Sequence, residues 1–210
     1  MTESPYARRR RRSSARHRGP EGPAASASAA QDPEPDPREV ARAIVLRQLT
    51  ASAKSRKQLE DKLADRNVPE DVAREVLDRF EEVSLVDDAQ YAELYVRSRA
   101  GSRKLARSAI RRELATRGVS GELAEAALEQ RTDEDERADA AELVRRKLPA
   151  GLDLTDRTER DRAVRRLVGM LGRKGYAPGL AFAVVKEELE ARTGAGADDD
   201  GVDEAYPDTP

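Results

Sequence analysis

The sequence predicts an all-α protein of three tandem three-helix repeats, an elongated, curved, solenoid-like body between two disordered tails. Three observations carry this. Between Arg38 and Arg192 apolar residues recur at three- and four-residue spacing, the mark of amphipathic helices. Aromatic residues make up 3% of the 210-residue chain, so the core must come from Leu, Val, Ile and Ala. Ala and Leu favour helix, as do Arg and Glu, whereas sandwiches and barrels draw on aromatic and β-branched residues. Finally, segments 56–77, 107–128 and 164–185 align with one another, and such self-similarity signals repeats.

The repeat register fixes two helices per unit. Its stripe begins with Leu59, Ile110 and Leu167 and continues four residues on with Leu63, Leu114 and Leu171. Four further stand Asn67, Gly118 and Gly175, residue types that adopt the left-handed conformation ending a helix. An apolar residue follows (Val68, Val119, Tyr176), then a cap or first-turn residue of the next helix (Pro69, Ser120, Pro178). The buried positions of that helix are Val72, Leu123 and Leu180, then Leu77, Leu128 and Val185.

In chain order, residues 1–37 hold an Arg-rich run and then a stretch rich in Pro, Ala, Ser and acids. Such a segment buries too little apolar area to offset its ordering entropy, so it is expected to be disordered. Unit one (38–84) opens with a helix over 38–50 burying Val40, Ile44 and Val45, followed by helices over 55–67 and 69–82. Unit two (85–131) has helices over 88–100, 103–117 and 120–130, burying Tyr91, Leu94, Tyr95, Ala106, Ile110 and Leu114. Unit three (132–192) opens with a helix over 134–148 burying Ala138, Ala141, Val144 and Leu148; after a loop at 149–158 comes a second helix around Leu167, and the last spans 178–191. Residues 193–210 form an acidic tail, also read as disordered. Units of this size are marginal alone and are expected to lean on their neighbours.

The net charge of −2 hides a pattern. Residues 1–18 hold seven arginines and one acid; residues 193–210 hold six acids and no base. Residues 97–117 carry eight bases against one acid, Glu113. Here Lys104, Arg107 and Arg111 share one flank beside the buried stripe, with almost no acid at helical spacing to pair them. An unpaired ridge asks for a partner, either phosphate or acidic protein surface. The matching helix of unit one mixes Glu60, Asp61 and Asp65 with its bases. That of unit three carries Arg162, Arg165, Arg166 and Arg173 opposite Leu167, read as a solvated face.

Catalytic chemistry is not expected. The chain has no Cys and one His, which removes thiolate chemistry, Cys-ligated metal sites and histidine pairs. No P-loop, dinucleotide fingerprint or nucleophile elbow is present. Asp87 and Asp88 are read as an N-cap and a first-turn acid. No catalytic, cofactor-binding or metal-ligating residue is assigned, and no small-molecule substrate is expected. Without a signal peptide or membrane-length apolar run, a cytoplasmic monomer is expected.

The stretch 84–119 resembles the RecX family of recombinase regulators. The matching features are Leu85, Asp87, Asp88, Tyr91, Ala92, Tyr95 and Arg97, then a basic turn containing glycine, and a helix ending in Gly118. Where the family often has Gly-Pro or Gly-Lys, this chain reads Gly101-Ser102-Arg103-Lys104. The resemblance covers roughly residues 38–192 and implies a noncatalytic modulator of the RecA recombinase in recombination and the SOS response. Such proteins lie along the groove of the RecA filament on single-stranded DNA and restrain its ATPase, strand-exchange and coprotease activities. On that resemblance Arg97, Arg103, Lys104, Arg107 and Arg111 are the expected contacts to RecA or single-stranded DNA, supported by Asp87, Asp88, Tyr91 and Tyr95. The alternative is a helix-turn-helix protein that binds DNA without RecA. Against it, the last helix of each unit, which normally reads the groove, is acidic or neutral.

Overall fold

The computed structural model of the chain describes residues 36–197, and among these every regular element is an α-helix. In order they are α1 (Pro37–Ala51), α2 (Arg56–Ala64), α3 (Glu70–Glu82), α4 (Asp88–Arg103), α5 (Arg107–Ala115), α6 (Glu122–Leu128), α7 (Asp133–Lys147), α8 (Arg157–Arg173) and α9 (Pro178–Ala197). Both expected tails lie outside the described residues except at their inner ends, where Asp36 caps α1 and Pro37 and residues 193–197 are helical. Asp36 accepts a bond from the Arg38 N–H at 2.9 Å and Pro37 takes the first helical position, where its missing N–H costs nothing. At the other end α9 runs on through Ala197.

The helices build three hydrophobic cores. Leu59, Leu63 and Leu77 are buried in the first, Ile110, Leu114 and Leu128 in the second, and Leu167, Leu171 and Val185 in the third. All the principal helix pairings fall within α1–α3, α4–α6 or α7–α9. Successive triads therefore meet through caps and turns rather than through packed helix faces.

Four expected core positions are instead exposed: Val40, Leu94, Leu123 and Ala138. In each case the buried stripe is centred on neighbouring residues. On α4 it runs through Tyr91, Ala92, Tyr95, Val96 and Ala100, which places Leu94 on the far side. On α6 the small residues Ala124 and Ala127 take the inner face, leaving Leu123 47% exposed. On α7 the inner face is Glu136, Ala140, Leu143 and Val144.

The helix expected over 103–117 is also divided differently. α4 continues to Arg103, Lys104 turns the chain at φ 50°, and α5 begins only at Arg107. The turn is held from the next triad, because the Ala106 N–H donates to the Lys174 carbonyl at 3.0 Å. Ala106 accordingly belongs to the third core, not the second.

Candidate partner-binding surface

Two junctions of the same design join the triads. At the first, Ser55 Oγ donates to the Arg117 carbonyl at 2.6 Å, and the Arg56 N–H donates to Asp88 Oδ1 at 2.8 Å. At the second, Ala106, the aligned equivalent of Ser55, bonds to Lys174, the equivalent of Arg117; Glu136 accepts the Arg107 N–H. In both, a carboxylate from the first helix of one triad accepts the first N–H of the second helix of the triad before it. Asp87 keeps its expected place, accepting from the Gln90 N–H at 2.9 Å. Asp88 does more than stabilise its own first turn: it accepts the first N–H of α2, beside the capping box of Ser55 and Gln58. Burial raises its pKa, outweighing the Arg56 N–H and charge that lower it.

Tyr91 and Tyr95 stack in the second core with ring centroids 5.8 Å apart. The guanidinium carbons of Arg99 and Arg117 each lie 4.6 Å from the Tyr95 ring centroid, close enough for cation–π attraction. The Tyr95 hydroxyl donates to Glu113, which Arg99 also reaches at 3.1 Å. Burial pushes the Glu113 carboxyl up, but the Tyr95 bond and the charges of Arg99 and Arg117 outweigh it, leaving it below the ordinary value. The one acid of the basic stretch is therefore a half-buried clamp between α4 and α5.

The basic ridge is not unpaired. α7 carries Asp133, Glu136, Asp139 and Glu142 at three-residue spacing. Arg107 pairs with Asp133 and lies 3.6 Å from Glu136. Lys104 Nζ reaches Asp139 at 2.6 Å and Glu142 at 3.1 Å, and these bonds raise its pKa. Arg111 grips both Glu125 oxygens, at 2.6 and 2.7 Å. The acidic surface that the ridge asks for is thus supplied largely by the protein's own third triad. Spacing along one helix does not reveal it, because Arg107 and Glu136 lie 29 residues apart.

Arg97 and Arg103 stand apart from this network. Arg97 lies 3.7 Å from Glu93, with both side chains more than half exposed. Arg103 is exposed, and among the described residues it forms no ion pair. Its carbonyl accepts from Lys174 Nζ. The α5 flank, held by α7 and α6, does not offer a row of free cations to a DNA groove.

The chain matches two family models, RecX first three-helix domain over residues 41–80 and RecX second three-helix domain over 87–128. Regulatory protein RecX of Streptomyces lividans is 49% identical over 174 residues, 81% of this chain and 89% of the relative. This chain belongs to the RecX family. Regulatory protein RecX of Thermobifida fusca is 48% identical over 72% of this chain and 80% of its own length. The crystal structure of RecX from Lactobacillus salivarius shares the fold, with a TM-score of 0.62 at 23% identity over 74% of this chain and 98% of that one. The two RecX domains fall on α1–α3 and α4–α6, so family register and core clustering agree. Among the described residues no helix is long and apolar enough to cross a membrane.

Proposed function

We propose that this RecX-family chain is a noncatalytic regulator that binds the RecA filament and restrains its ATPase, strand-exchange and coprotease activities. The observation that carries the reading is relatives named Regulatory protein RecX, matched over four-fifths of the chain at 49% identity. The surface proposed for contact includes Arg103 at the end of α4, which no acid pairs among the described residues, and the exposed Arg97, 3.7 Å from Glu93. Lys104, Arg107 and Arg111 shape that surface by locking α5 against α7 and α6. Charges of this kind set encounter rate and register with an acidic partner more than raw affinity.

The test is RecA ATPase on single-stranded DNA with and without this protein. A fall in the rate, weakened by Arg103→Glu, supports the proposal. An unchanged rate, with salt-sensitive DNA binding in the absence of RecA, replaces it with the DNA-binding alternative.

A further inference from the structure

The chain has seven lysines, and all lie among the described residues. Four hold carboxylates: Lys57, Lys62, Lys104 and Lys186. Lys174, the C-cap of α8, forms no ion pair among the described residues. It is half-buried, and its Nζ donates to the Arg103 carbonyl at the end of α4. The end of α7 is tied to the same helix, because Arg166 donates to the Lys147 carbonyl at 3.3 Å. Three helix C-termini thus gather around Lys174, each with a field that favours cations. They bring Arg103 from α4 and Arg146 and Lys147 from α7, all exposed. Among the described residues Arg103 and Lys147 form no ion pair. Arg146 lies 3.6 Å from Glu142, an acid that Lys104 also holds.

This arrangement has two chemical consequences. A lysine amine is a nucleophile only when neutral, and burial and like charges both disfavour the ammonium. Lys174 is accordingly held below its ordinary pKa, first by burial and then by Arg103, Arg146 and Lys147. Lys57 and Lys104 move the other way, because bonds to carboxylates hold their ammonium forms. The same exposed cations also suit a phosphate, through a guanidinium fork and an ammonium. A reagent that joins an acyl carbon to a phosphate therefore meets its nucleophile and its anchor in one place.

We propose that Lys174 is an acylation site whose donor is an acyl phosphate, seated by its phosphate on Arg146 and Lys147. The ammonium first gives one proton to solvent. The neutral amine then attacks the acyl carbon, the C–N bond forms as the bond to the bridging oxygen breaks, and the departing phosphate takes the second proton. The product is an uncharged amide at the junction of the second and third triads. There the Lys174 carbonyl accepts the Ala106 N–H, and the Tyr176 hydroxyl donates to the Lys104 carbonyl, each at 3.0 Å. This reading stands independently of RecA binding.

The test incubates the full chain with acetyl phosphate and follows acetylation of each lysine over time by peptide mass spectrometry. Lys174 is expected to react fastest, about fivefold ahead of the exposed Lys186. Excess inorganic phosphate, and separately the double variant Arg146→Gln with Lys147→Gln, are each expected to slow Lys174 about fivefold and to leave Lys186 unchanged. In urea the preference is expected to disappear. A faster or equal rate at any other lysine overturns the proposal. A preference that survives urea does so too, because it then belongs to the local sequence Arg173-Lys174-Gly175 and not to the fold. A rate at Lys174 that either phosphate or the double variant leaves untouched removes the anchor and sinks the idea.

Discussion

Gly118 rests on Lys57 so closely that a Cβ built on the glycine would lie 2.3 Å from the lysine Cβ. Gly175 repeats the relationship one triad later, where a Cβ would lie 2.7 Å from that of Ala109. Both glycines have positive φ, 83° and 90°, and so does Asn67 at the aligned position of the first triad, at 55°. Asn serves there because no earlier described triad sits on that turn. The repeat thus separates two demands that glycine usually meets together, backbone conformation and close approach.

That separation is measurable. Gly118→Asn keeps a residue tolerant of the left-handed region but forces a side chain into Lys57, and should cost about 1–3 kcal/mol in thermal unfolding. Asn67→Gly, with no such neighbour, should change stability by about 1 kcal/mol or less. Equal effects would refute the close-approach account.

The cations of the ridge should divide into two classes. Arg107→Glu places a carboxylate against Asp133 and Glu136 and should lower stability by about 1–2 kcal/mol. Arg97→Glu and Arg103→Glu should leave melting nearly unchanged while reducing any effect on RecA ATPase. Melting curves read beside the ATPase assay distinguish the classes.

Asp88→Ala should cost about 1 kcal/mol, because it leaves the first N–H of α2 without its charged acceptor. The site of damage is the diagnostic. Amide exchange should quicken at Arg56 in α2, the residue whose N–H Asp88 accepts, rather than only within α4. Unchanged protection at Arg56 would show that the Asp88 bond is dispensable.

Acid should loosen the α4–α5 clamp. The pKa of Glu113 is depressed from an ordinary 4.5. Its stabilising contribution is therefore complete above pH 4.5 and is lost as pH falls through the lower folded value. Glu113→Gln should make the melting temperature less steeply dependent on pH below 4.5. An acid limb of unchanged slope would assign the loss to other carboxylates.

Much of the architecture is legible in the residues because it rests on local rules. The stripe Leu59–Leu63, its copies Ile110–Leu114 and Leu167–Leu171, and the left-handed residues that end each run need only helical periodicity and glycine stereochemistry. Stripe edges are less legible. Leu94 and Leu123 are apolar but sit where alanines and tyrosines already fill the inner face. The surface is least legible, since the charge pattern of one helix cannot show whether another element brings acids to it.

By itself the sequence determined an all-α chain, its three-unit register, the Asp87 cap and the family resemblance carried by Asp87, Asp88, Tyr91 and Tyr95. Those follow from interactions spanning a few residues, repeated. Only the tertiary structure decided that Asp88 holds the first N–H of α2 and that Lys104 and Arg107 spend their charge on α7. Ion pairs form wherever folding brings opposite charges within reach, and across these junctions that distance bears no relation to separation along the chain.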